Sequence, residues 1–310
     1  MAEKGERREM RPGSLGETAP REGYLEVQSG KLYYRELGSG QPLIVLHGGP
    51  DFDHQYMLPE MDRLASDFRL IYYDQRGRGK SANAVLPEDV SLGSEVSDVE
   101  AIRQELGREA VIILGHSWGA LLALEYATRH AGYVSHLILM NTAPVSRGDF
   151  LWLQQERRRK AAEDLAAMRA LSATAQYAAG DIAIEAEYYR RHFRTALSDP
   201  EKLERVIRRL RSGWTPEGVR KARAIEQRLY DETWFTSSYD LLPKLYSLRV
   251  PTLVLHGEED LIPVDCAIHI AEAVGGARLE VLPACGHFAF LDCPDGIHND
   301  IVRFCASEQA

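Results

Sequence analysis

The sequence predicts an α/β fold: a mostly parallel sheet covered by helices on both faces, with an all-helical segment inserted between its two sheet-forming parts. Three observations lead there. Runs such as "PLIVLHGG" (42–49), "AVIILG" (110–115) and "VSHLILMN" (134–141) are continuously apolar rather than alternating, as in strands buried on both faces. Helical patterns alternate with these runs, which is how parallel strands are connected. From about residue 146 to 246 strand patterns vanish, and Arg, Ala, Glu and Leu dominate.

In chain order, "MAEKGERREMRPGSLGETAPREG" has charges, Gly and Pro but no apolar core, so it does not read as a secretory signal, and residues 1–20 are expected to form a mobile tail. "YLEVQSGKLYYRELG" (24–38) predicts two strands meeting near Ser29-Gly30. After the strand at 42–49, Asp53 to Ser66 carries apolar residues at helical spacing, and "FRLIYYD" (68–74) reads as a strand. "SEVSDVEAIRQELG" (94–107) is a helix closed by a glycine and leads into the strand at 110–115. In the insertion, Ser198-Asp199-Pro200-Glu201 reads as a capping box with proline in the first turn, and Thr215-Pro216-Glu217 as a similar start. The α/β rhythm resumes at "RVPTLVLHG" (249–257), followed by a helix near 264–275, "ARLEVLPACGH" (277–287) and a last helix at about 296–305. The expected division is a core of residues 21–145 and 247–310, with residues 146–246 as a helical cap.

Composition narrows the partners. With 310 residues, 45% of them hydrophobic, the chain is long enough for a large buried core. A formal net charge of −9 argues against nucleic acid or an anionic membrane surface. The arginine clusters Arg157 to Arg159 and Arg208, Arg209 and Arg211 have Glu156, Glu163 and Glu204 interspersed and read as solvated helix faces, with an anion site as the alternative. No apolar stretch approaches membrane-spanning length. Cys266, Cys285, Cys293 and Cys305 lack metal-type spacing and, without a signal peptide, are expected as free thiols in the cytoplasm. No metal or organic cofactor is called for.

Chemistry concentrates at "VIILGHSWGALLALEYA" (111–127), where a strand passes through G-x-S-x-G into a helix. Gly115, Gly119 and Ala120 leave room for a sharp turn with the Ser117 hydroxyl at its tip; helix capping is the alternative duty of such a serine. A hydroxyl needs a base, and the base an orienting acid, in the chain order serine, acid, histidine. His287 alone lies in a loop directly after a late strand. His116 precedes the serine and is expected to point the other way, and His47 and His256 suit packing or loop hydrogen bonding. Asp260, in "LVLHGEEDLIP", is the favoured acid and Glu259 the alternative. The backbone N–H of Trp118 and that of Gly49, or else Gly48, are the candidate donors to a developing oxyanion.

Three motifs, "HGGP" (47–50), "DQRGRGKS" (74–81) and "GHSWG" (115–119), give the chain a resemblance. From about residue 22 to 306 it resembles the α/β-hydrolases, and within them the prolyl aminopeptidase (proline iminopeptidase) family. The resemblance implies that Asp74, Gln75 and Arg76 brace a loop near the site, and that the substrate is a small amide or short peptide with a free amino end. Two positions depart from the family pattern: Asp51 stands where a glycine usually follows "HGGP", and Leu261 where some members carry a further acid. An aminopeptidase must meet its substrate's ammonium with desolvated carboxylates. The cap offers Glu185, Glu187, Glu226, Asp231 and Glu232, while Trp152, Trp214, Trp234, Tyr188 and Tyr189 are candidates for an apolar pocket. Alternatives are a carboxylesterase, a carbon–carbon bond hydrolase and a non-catalytic ligand-binding protein on the same scaffold.

Overall fold

The computed structural model describes residues 19–307 apart from Ser29, Ala84 and Ser198. Most of the expected tail, the Ser29 junction, and the first residue of the Ser198 capping box lie outside the described residues. The strands are β1 (Arg21–Val27), β2 (Gly30–Leu37), β3 (Gln41–Leu46), β4 (Phe68–Tyr73), β5 (Val111–His116), β6 (Val134–Met140), β7 (Thr252–Gly257) and β8 (Arg278–Leu282). They form one sheet in the order β1-β2-β4-β3-β5-β6-β7-β8, antiparallel from β1 through β2 to β4 and parallel from there onward.

Successive side chains of β3 point to opposite faces, so Ile44 and Leu46 join one apolar cluster while Leu43 and Val45 join the other. The first cluster includes Val96 and Val99 of α1 (Leu92–Glu105) and Leu121 and Leu124 of α2 (Trp118–His130). The second takes in the chain around Tyr56, Phe288 and Phe304. Between β6 and β7 runs the helical insertion, with α3 (Arg147–Lys160), α4 (Ala162–Ser172), α5 (Ala175–Ala179), α6 (Ile182–His192), α7 (Pro200–Leu210), α8 (Pro216–Glu232) and the single turn α9 (Leu242–Leu245). Then come α10 (Val264–Ala273), α11 (Ala289–Asp292) and α12 (Pro294–Ser307).

Two local readings change. Residues 53–66 form two short 3-10 stretches, His54–Met57 and Glu60–Ser66, instead of one helix. Pro59 separates them: it has no N–H to donate and disfavours helical backbone at Leu58, whose observed ψ is 152°. The cap of α7 is Asp199, which accepts from the Glu201 N–H, with Pro200 in the first turn. The start at Thr215 is as read, its side chain accepting from the Gly218 N–H.

The insertion is anchored by ion pairs that connect it to the sheet's loops. Arg211, just after α7, pairs with Asp51, and the Tyr189 hydroxyl donates to the same carboxylate at 2.5 Å. The Arg211 guanidinium lies over Trp214 (4.6 Å), Tyr189 (5.3 Å) and Phe52 (5.4 Å). The acid at position 51 thus has a mechanical reason: it ties the helical insertion to the loop after β3. Arg211 is buried, not part of a solvated helix face.

Candidate active site

The carboxyl ends of β3, β5, β6, β7 and β8 converge on one locality, where ligands of parallel sheets gather. Ser117 separates β5 from α2 with φ 55° and ψ −119°, a conformation that non-glycine residues rarely adopt. Its flanks show why the turn closes. A Cβ on Gly115 would sit 2.5 Å from the Ala120 amide nitrogen, and one on Gly119 2.2 Å from the Leu46 carbonyl oxygen. The serine side chain makes no capping bond to α2, so its hydroxyl is not spent on the helix.

Instead, Ser117 Oγ lies 3.1 Å from His287 Nε2, and His287 Nδ1 lies 2.9 Å from Asp260 Oδ1. Since a carboxylate only accepts, Nδ1 carries the proton and Nε2 is left to accept from the serine. Asp260 also accepts from the Ile262 N–H (2.9 Å) and from Asn141 Nδ2 (2.7 Å). Burial opposes its ionisation, yet the His287 and His256 imidazoles and the Ile262 amide hold its carboxyl far below the ordinary value. The alternative acid, Glu259, is exposed and stays out of this chain of bonds.

His116 does not point away, contrary to expectation. It lies on the pocket wall with Nε2 2.8 Å from the His287 carbonyl oxygen and Nδ1 2.6 Å from the Tyr56 hydroxyl. Burial, reinforced by neighbouring His287, pulls it down to about 3 and keeps it neutral. It therefore donates from Nε2 and accepts the Tyr56 proton at Nδ1, while the Tyr56 oxygen accepts the Gly48 N–H at 2.7 Å. This sequence of bonds ties the loop after β3 to the loop carrying His287. It also occupies the Gly48 amide, whereas the Gly49 and Trp118 amides have no hydrogen-bond partner among the described residues.

Behind this face, the "DQRGRGKS" loop is braced as the resemblance implies. Asp74 accepts from His54 Nδ1 (2.7 Å) and the Lys80 N–H (2.8 Å), Gln75 Nε2 donates to the His47 carbonyl (2.7 Å), and Arg76 pairs with Asp98.

Ser117 and His287 open onto a cavity of about 660 Å³ beneath the insertion. Of the cap acids, only Glu226 lines it; Glu185 is buried outside, paired with Arg211 (3.4 Å) and Arg223 (3.2 Å). Glu187 pairs with Arg190 and Arg191, Asp231 is exposed, and Glu232 accepts from the Leu92 N–H at the start of α1. Trp234, Tyr188 and Tyr189 line the cavity. Trp234 stacks on Phe150 at 4.8 Å and meets Trp118 edge-on at 5.7 Å. Trp214 instead donates to Asp53, and Trp152 is largely exposed. Arg157 and Arg158, read as solvated, face the cavity. Sequence reasoning missed Asn141 and Tyr56; the former had a signal, a polar residue closing the apolar run "VSHLILMN" at a strand's carboxyl end.

Burial, with the Asp51 charge behind it, pushes Glu226 up to about 8 from an ordinary 4.5. Folded protein therefore holds this proton more tightly than unfolded chain does, and the associated stability is lost as pH climbs from the ordinary carboxyl range through about 8. Glu226→Gln removes that loss. The melting temperature of the variant minus that of wild type is expected to grow between about pH 5 and about pH 9. A constant difference would contradict the assignment.

Comparison with known proteins bears on the fold. Residues 41–294 match the family model of the alpha/beta hydrolase fold. A curated relative named proline iminopeptidase, from Saccharolobus solfataricus, is 26% identical over 302 residues, covering 91% of this chain and 91% of its own. A crystal structure of proline iminopeptidase from Mycobacterium smegmatis has a TM-score of 0.67 at 21% identity, over 93% of this chain and 98% of its own. The crystal structure of an esterase from Rhodococcus sp. has a TM-score of 0.70 at 23% identity with the same coverage.

Proposed function

We propose that this chain, which belongs to the α/β-hydrolase fold family, is a serine hydrolase that cleaves small amides or short peptides with a free amino end. The observation that carries the reading is the bonded sequence Ser117–His287–Asp260, with its hydroxyl at a strained turn on a cavity wall.

In the reaction, Ser117 Oγ attacks the substrate carbonyl as its proton passes to His287 Nε2. Asp260 holds the ring and compensates the imidazolium. The Gly49 and Trp118 amides take the oxyanion, which bears more charge in the transition state than the carbonyl did. His287 then protonates the leaving amine, and the acyl group stays on Ser117. A water molecule gives its proton to His287 and attacks the acyl carbon, and the same imidazole returns a proton to Ser117. The substrate ammonium would meet Glu226, where an approaching cation displaces the proton that burial holds there.

The proline iminopeptidase relatives and the placement of Glu226 support the amine-end preference. Small esters are the second reading, favoured by the aromatic wall of Trp234, Phe150 and Phe235. Prolyl and alanyl anilides with free amino ends, their N-blocked counterparts and short aryl esters separate the two. Free-amine anilides are expected to be preferred by about tenfold or more, the scale of a charge-assisted hydrogen bond, with Glu226→Gln losing the preference through KM. Ester turnover indifferent to a free amine would make the protein an esterase.

A further inference from the structure

In an acidic protein, this cavity is lined by more cations than anions. Arg147, Arg157, Arg158 and Arg169 stand on its walls against Asp51 and Glu226. Asp51 is committed to Arg211, and burial keeps Glu226 largely protonated at neutral pH. None of the four arginines has a carboxylate within ion-pair distance among the described residues. Outside the cavity, Arg159 of α3, Arg190 and Arg191 of α6 and Arg209 of α7 are each paired with a glutamate. On α3 the outward Arg159 is thus neutralised by Glu156, while Arg157, facing the cavity, has no counter-charge among the described residues.

Arg157 is the most distinct of them. It is half-buried on the inner end of α3, and its Nη2 reaches only neutral acceptors, His192 Nδ1 at 3.4 Å and the Met168 sulfur at 4.0 Å. Burial, and then the Arg157 charge itself, depresses His192 well below its usual value, so that ring stays neutral beside the guanidinium. Two rings separate Arg157 from the base: His192 meets Phe193 at 4.6 Å, and Phe193 stacks on His287 at 6.2 Å. Ser117 and this guanidinium line the same cavity, so a group remote from a carbonyl held at Ser117 shares that space with Arg157. A planar fork of donors with no protein carboxylate to meet suits a carboxylate from outside.

We propose that Arg157, with Arg158 and Arg169 at the rim, binds a substrate carboxylate remote from the scissile carbonyl. Resting on the serine-hydrolase reading above, this makes the leaving group of the preferred substrate an amino acid or short peptide with a free C-terminus. The substrate is then a zwitterion, with ammonium at Glu226 and carboxylate at Arg157.

The test is the kcat/KM ratio for alanyl-alanine over alanyl-alanine amide, which share the scissile bond and the free amine. Wild type is expected to favour the acid by about tenfold or more. Arg157→Met should bring the ratio close to one, and Arg157→Lys should restore part of it. Arg159→Gln, on the same helix outside the cavity, should leave the ratio unchanged. Equal rates on the two peptides in wild type, or a preference surviving Arg157→Met, overturn the inference and leave the hydrolase reading standing. No turnover of peptides, anilides or esters above the Ser117→Ala background overturns both.

Discussion

Ser117→Ala is expected to lower kcat by about 10⁴-fold or more on any hydrolysed substrate while leaving the protein folded. The size follows from the loss of the acyl-enzyme route itself, since the residual rate comes only from binding and the oxyanion donors. His287→Ala is expected to fall as far, because the two residues act as one unit and their effects do not add. Folding should be spared because the Ser117 side chain neither caps α2 nor fills the core. Ser117→Gly sharpens the test. At φ 55° a glycine relieves strain that serine and alanine both bear, so this variant should be inactive yet more stable than Ser117→Ala by about 1 kcal/mol or more. Retention of most turnover in Ser117→Ala would refute the nucleophile assignment, and circular dichroism with thermal melts would show whether a loss is chemical or structural.

The largest expected effect on stability lies behind the site. Glu95 of α1 is fully buried, accepting from Arg78 on one oxygen and from the Trp118 indole N–H (3.3 Å) on the other. Arg78, equally buried, also donates to the Gln75 side chain (2.6 Å) and the Arg76 carbonyl. The pair therefore locks the "DQRGRGKS" loop to α1 and to the residue after Ser117. Glu95→Ala leaves a guanidinium buried without its counter-charge, which costs about 3–5 kcal/mol and lowers the melting temperature by roughly 10 °C. Replacing both partners, Arg78→Met with Glu95→Leu, should recover most of that loss, because the penalty is the orphaned charge and not the absent attraction. A single variant melting within about 2 °C of wild type would mean that water or another group reaches Arg78.

What could be read from the sequence follows from the range of the forces involved. The turn at Ser117 is dictated within five residues, because Gly115 and Gly119 are the positions where a Cβ would strike the next turn of chain or β3. The acid and base candidates were legible because each lies just past a strand, and parallel strands deliver their carboxyl ends to one edge. Buried strands announce themselves by continuous apolar runs, and the α8 start at Thr215 by its local side-chain bond. None of these depends on how distant pieces meet.

The insertion is the opposite case. Its helices carry acids and arginines all around, and sequence alone gives no reason to prefer Glu226 over Glu185, Glu187 or Glu232 as the one facing the cavity. Docking decides it: Asp51 draws in Arg211, Arg211 and Arg223 consume Glu185, the α1 backbone takes Glu232, and Glu226 is left on the cavity wall. The same docking turns Arg157 inward, where its pattern predicted a solvated face; His116 and Asn141, in turn, donate to carbonyls 171 and 145 residues further along the chain. The sequence by itself determined the sharp turn at Ser117 and the candidate acid and base just past two strand ends. Which charges face the cavity was decided by tertiary structure, because a long-range ion pair chooses a helix's orientation and no local rule encodes it.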